Sequence, residues 1–142
     1  MGDRLEASII LTDQKVKFSG TCRTNTAVTM DYFPPLGEGQ GYTGLELLLM
    51  SLAGCSGTSV VFLLRKMGKD ITGFSVNASG TRRDQHPTCF EKINLEFTVT
   101  SRDAKEADIL KAIKLSEESI CPVWAMLKKG VEIEVGHKLV VQ

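Results

Sequence analysis

The 142-residue chain has no excess of charge: 17 lysines and arginines are matched by 17 aspartates and glutamates. That balance leaves no chain-wide basic footprint for nucleic acid or an anionic membrane surface, and neither is expected as a partner. The opening residues, Met1-Gly2-Asp3-Arg4-Leu5-Glu6, lack the basic and apolar regions of a signal peptide, so a cytoplasmic location is expected. No glycine-rich phosphate loop, paired-carboxylate motif or serine-histidine elbow stands out. Metal ligands are also scarce. The histidines are His86 and His137, and His86-Pro87-Thr88-Cys89 offers at most two ligands, which does not close a zinc site. No metal or other cofactor is expected. Repeats and linkers are missing too, so residues 1–142 read as one domain, with 42% hydrophobic residues to supply its core.

Long apolar runs are absent with one exception. Leu47 through Leu64 carries no charge and reaches the length of a membrane-span candidate. Ser51, Gly54, Ser56, Gly57, Thr58 and Ser59 interrupt it and Glu46 precedes it, so it reads as a helix buried on nearly all sides within a soluble assembly.

Around that helix the pattern is mixed. Ala7–Leu11, Val16–Gly20 and Ala27–Tyr32 alternate like short antiparallel strands, and the Pro/Gly-rich segment 34–41 follows as a loop, an arm or pocket rim. The apolar helix spans about Thr43 to Lys66 and ends at Gly68, a residue suited to a left-handed cap. Phe74–Ala78 and Ile93–Val99 alternate as a hairpin with a charged connection around 82–87. Ile109, Leu110, Ile113 and Ile120 recur at helical spacing. A short helix from Pro122 then stops at Gly130, and one or two strands run through Val131–Val135 and Leu139–Val141. The class is α+β.

Four cysteines, at 22, 55, 89 and 121, carry the chemistry that is left. A reducing compartment and a self-sufficient core argue against a structural disulfide framework. Cys55 shares a helix face with Ser51, Leu52, Thr58 and Ser59, a small polar stripe on an apolar cylinder; it is read either as a reactive thiol or as a small packing residue. Cys121 precedes Pro122, which favours the first helical position, so its thiol sits at a helix N-terminus where backbone N–H groups are expected to lower its pKa. Cys22 and Cys89 are most simply strand or loop thiols.

The stretch Leu47-Leu48-Leu49-Met50-Ser51-Leu52-Ala53-Gly54-Cys55, followed by Ile120-Cys121-Pro122-Val123, resembles the two-cysteine signature of the OsmC/Ohr family of hydroperoxide-reducing proteins. The order of elements matches that family over almost the whole chain. Within the family, the glutamate before the helix and the arginine-free peroxide site are closer to the YhfA-like branch than to the organic hydroperoxide resistance proteins proper. The resemblance implies an OsmC-like fold, an antiparallel sheet wrapped around the long apolar helix, in an intertwined homodimer. It also implies a thiol-dependent peroxidase for organic hydroperoxides. Cys55 would attack the peroxide, Cys121 would condense with the resulting sulfenic acid, and an external dithiol would reduce the disulfide.

Where the best-known members carry the glutamate that pairs with a thiolate-holding arginine, this chain has Leu45, with Glu46 next to it. At about 100° per residue Glu46 falls on the far face of a straight helix from Cys55, so it is read equally as a catalytic residue and as a first-turn acid complementing the helix dipole. Arg23, in the turn after the second strand, is the candidate arginine; a solvated turn residue is the alternative. Two other functions stay open beside the enzyme. One is a non-catalytic protein of the same fold that binds a small apolar ligand; the other is a thiol redox sensor with little turnover.

Overall fold

The computed structural model describes residues 2–142. The elements are β1 (Ser8–Leu11), β2 (Phe18–Thr21), β3 (Val28–Met30), α1 (Gly44–Lys66), β4 (Ile71–Arg82), β5 (Phe90–Ser101), α2 (Glu106–Leu115), a π-helical turn (Ser116–Ile120), α3 (Pro122–Leu127) and β6 (Glu132–Val141). This is the expected α+β order, with a single strand at the end. The chain forms two compact units, Met1–Leu48 and Leu49–Gln142.

In the first unit β1, β2 and β3 form an antiparallel sheet in which Ile9 pairs with Gly20 and Ser19 with Thr29. The chain leaves β3 through a loop organised by Asp31. Its buried carboxylate accepts N–H bonds from Tyr32 at 2.8 Å, Gln40 at 3.1 Å and Glu38 at 3.2 Å. Burial acts to raise the Asp31 pKa, but the three donors together outweigh it and hold the carboxyl below its ordinary range. A depressed carboxylate stabilises the fold above the ordinary carboxylate range, and that contribution is lost as pH falls through the lowered value. Asp31→Asn should therefore flatten the acid limb of a stability-versus-pH curve measured by urea unfolding.

Gly37 lets this loop close. A Cβ there would lie 2.3 Å from Asp31 Oδ1 and 2.4 Å from the Tyr32 carbonyl oxygen. Gly37→Ala should cost about 1–3 kcal/mol in urea unfolding, the usual penalty of overpacking.

The second unit holds most of α1 and the sheet β4-β5-β6. Leu52, Ser56, Ser59, Val60, Leu63 and Leu64 recur at three- and four-residue spacing and form the buried face of α1. Gly57 allows the close approach of β4, since a Cβ there would meet Phe74 Cε1 at 3.3 Å and Val76 Cγ2 at 3.5 Å. Gly68, at φ 82°, terminates the helix; its N–H and that of Lys69 bond the carbonyls of Arg65 and Leu64. Although α1 is long and apolar enough to cross a bilayer, it is not buried on nearly all sides in this chain. Phe62 is 58% and Met50 45% exposed, because the sheet covers only one side of the cylinder.

β4 and β5 form the expected antiparallel hairpin. The sheet is nonetheless mixed: β6 runs parallel to β5, with Leu95 opposite Val135. The connection between them contains α2 and α3, which allows the crossover that a parallel pair requires and a tight turn cannot make. Ile93, Leu95, Phe97 and Val99 alternate along β5, all without exposure, and with Ile109, Ala112 and Ile113 of α2 they form the core. The helical spacing from Ile109 to Ile120 is not one regular helix. α2 stops at Leu115, and residues 116–120 widen into the π turn.

Candidate functional site

Cys55 lies on α1, half-buried, one helical turn before Ser59. Cys121 is the N-cap of α3, extended at φ −75° and ψ 109°, with Pro122 opening the helix behind it. Its Sγ accepts the Trp124 N–H at 3.4 Å, and its own N–H donates to the Ser116 carbonyl at 2.9 Å, closing the π turn. The two thiols are free and line the same cavity. Its volume is about 310 Å³, and it is lined also by Thr58, Ser59, Phe62, Ile120 and Pro122, none of them charged.

Cys121 is 2% exposed, and this overturns the expected thiolate. Burial pushes its thiol above the ordinary value, and the hydrogen bond and charge of Cys55 add to the rise, outweighing the N–H groups of Trp124 and Val123. The helix end is present, but α3 is only six residues long and burial outweighs its N–H groups. A raised thiol favours the fold below its unfolded pKa, and that benefit is lost as pH rises through the folded value. Attack by Cys121 requires its thiolate. Disulfide closure should therefore accelerate as pH rises through the alkaline range, as measured by stopped-flow loss of a Cys55 sulfenic acid.

Residues 37–136 match the family model described as OsmC-like protein. The chain belongs to the OsmC-like family. It is 40% identical over 96 residues to Protein YhfA of Escherichia coli (strain K12), covering 68% of this chain and 72% of that relative. Among solved structures it resembles a hypothetical protein from Aquifex aeolicus VF5, at 26% identity and TM-score 0.88 over 99% of each chain. It shares the fold of a Legionella pneumophila protein described as an organic hydroperoxide resistance protein OsmC and predicted redox protein. That likeness has 12% identity and TM-score 0.70 over 96% of this chain and 97% of the other.

The remaining candidates of this OsmC-like chain are placed as follows. Glu46 lies inside α1, in its first turn. Its Oε1 accepts the Thr43 N–H at 2.8 Å and its N–H donates to Thr43 Oγ1 at 3.2 Å, a capping box. Arg23 sits in the turn after β2 at φ 54°, in the left-handed region. Both belong to the first unit, as does half-buried Cys22, whereas Cys55 and Cys121 belong to the second. Cys89 is exposed in the β4–β5 connection, as is His86; among the described residues no group of three or more His, Cys, Asp or Glu side chains could hold a metal ion.

Thr58 and Ser59 were legible as same-face neighbours of Cys55, and Phe62 follows from the next turn of the same rule. Ser116, which bonds Ser59, keeps helical phase with the buried Ile109, Ala112 and Ile113, but a serine on that face carries no signal of the partner it meets across the fold.

Proposed function

We propose that this OsmC-like protein is a thiol-dependent peroxidase for organic hydroperoxides. The observation that carries the reading is the pair of free thiols that line one uncharged, apolar cavity. The Cys55 thiolate attacks the outer oxygen of ROOH; the O–O bond breaks, the oxygen becomes a Cys55 sulfenic acid, and RO⁻ takes a proton to leave as ROH. Cys121 then attacks the Cys55 sulfur, expelling water and forming the disulfide. An external dithiol restores both thiols and becomes a disulfide itself. Burial of Cys121 suits the second role, since a neutral resolving thiol does not repel the thiolate that reacts first.

Glu46 and Arg23 enter this reading as the candidate activating pair, tested by Arg23→Ala and Glu46→Gln against peroxide rate. Self-association is part of the same reading. Phe62 and Met50 on α1, and Ile9, Ile10 and Leu11 on β1, are exposed apolar side chains that a second copy would cover. A cytoplasmic site of action fits a cycle that depends on a dithiol reductant.

Steady-state consumption of cumene hydroperoxide and of hydrogen peroxide with dithiothreitol tests the proposal. Turnover that prefers cumene hydroperoxide is expected; negligible turnover of both would refute it. The uncharged lining favours one second reading, a site for a small apolar ligand, for which cumyl alcohol would bind while neither peroxide is consumed.

A further inference from the structure

α1 and the π turn meet at a buried pair of hydroxyls. Ser59 Oγ and Ser116 Oγ are 2.5 Å apart, and both residues are enclosed, Ser116 completely. Each hydroxyl has one proton to give. Ser59 Oγ donates to the Ser56 carbonyl at 3.0 Å, with the Cys55 carbonyl at 3.5 Å as its second neighbour. Ser116 Oγ is then the donor to Ser59. The Ser116 carbonyl in turn accepts the Cys121 N–H at 2.9 Å. The helix turn that carries Cys55 is thus tied through two side chains to the backbone of Cys121.

An apolar pair would fill this position without the need to match two hydroxyls, and replacing both partners of a buried hydrogen bond is often nearly neutral. What the pair adds is distance control, because an O–H···O bond tolerates only a few tenths of an ångström. A disulfide has the same requirement, a narrow window of backbone separation.

We propose that Ser59 and Ser116 are positioning residues that hold Cys121 at bonding distance from Cys55, setting the ease of disulfide closure. The proposal rests on the thiol-pair reading of the site but not on the identity of the oxidant. Without the tie, the π turn is free to shift Cys121 along the α1 surface. A displacement of about 1 Å is enough to slow a reaction between held groups on the order of a hundredfold.

The test separates positioning from mere stability. Ser59→Ala leaves the buried Ser116 hydroxyl without its acceptor, and Ser116→Ala leaves Ser59 Oγ bonded to the Ser56 carbonyl but without its donor; each lowers the melting temperature, the first by more, and the double variant removes both groups and recovers it. Closure is read by equilibrating each protein with reduced and oxidised dithiothreitol, where the two cysteine thiols are oxidised as dithiothreitol disulfide is reduced. It is read independently from the lifetime of the Cys55 sulfenic acid after one equivalent of cumene hydroperoxide, trapped with dimedone. The proposal expects the double variant to regain the wild-type melting temperature yet form the Cys55–Cys121 disulfide at least about tenfold less favourably. Ser59→Thr, which keeps the hydroxyl, should behave like wild type. Wild-type closure in the double variant, or in either single variant should the double fail to fold, would overturn it. If peroxide leaves wild-type Cys55 untouched, the peroxidase reading fails while the dithiothreitol equilibrium still decides the clamp.

Discussion

Cys55→Ser is expected to lower cumene hydroperoxide consumption by at least about a thousandfold, because it removes the nucleophile through which every turnover of the proposed cycle passes. A serine hydroxyl has no accessible anion at neutral pH and none of the polarisability of sulfur. Cys121→Ser should behave differently. The first attack needs only Cys55, so without dithiol the variant should consume one peroxide per chain and stop, leaving a sulfenic acid that dimedone labels. Rates are read by loss of peroxide with dithiothreitol in excess, and the adduct by mass spectrometry. With excess dithiol some slow turnover of Cys121→Ser is expected, as an external thiol can attack the sulfenic acid directly. Equal rates in wild type and Cys55→Ser would remove Cys55 from the mechanism.

Trp124→Ala should have the largest effect on stability. Trp124 is the buried residue of α3 and is 1% exposed, so this short helix is held mainly by one side chain. Truncating a buried tryptophan costs about 3–5 kcal/mol, a large share of the stability of a domain this size. The Trp124 backbone N–H, held in place by the buried ring, donates to Cys121 Sγ, and Cys121 caps the helix that Trp124 anchors. Loss of the ring should therefore loosen Cys121 as well as the core. Urea unfolding should show the lower midpoint, and the dithiothreitol equilibrium should show weaker disulfide closure under conditions where the variant is still folded. Trp124→Phe, which keeps most of the buried area, should lose much less of both.

The parts of the fold set by local periodicity were legible. Alternation gave β5 with its buried Ile93, Leu95, Phe97 and Val99, Gly68 marked the end of α1, and Pro122 placed Cys121 at the start of α3. What local pattern does not carry is direction and solvation. The parallel sense of β6 depends on the path of a long connection. The raised thiol of Cys121 depends on how completely distant residues exclude water from it. The break after Leu115 was hidden because Ile120 keeps an apolar residue in helical phase, although the backbone there has already changed its hydrogen-bond spacing. The thiol pair itself came from a family resemblance that spacing alone would not have supplied. Glu46 shows the limit of both routes: its place next to the family's glutamate position is plain in the sequence, and its carboxylate closes a capping box with Thr43.

The most direct test is to treat the reduced protein with one equivalent of cumene hydroperoxide and map its disulfides by proteolysis and mass spectrometry. The mechanism predicts a single new link, Cys55 to Cys121, formed within one chain, with Cys22 and Cys89 still alkylated as free thiols. Four free thiols after the treatment, or a link that leaves Cys55 or Cys121 unpaired, would contradict it.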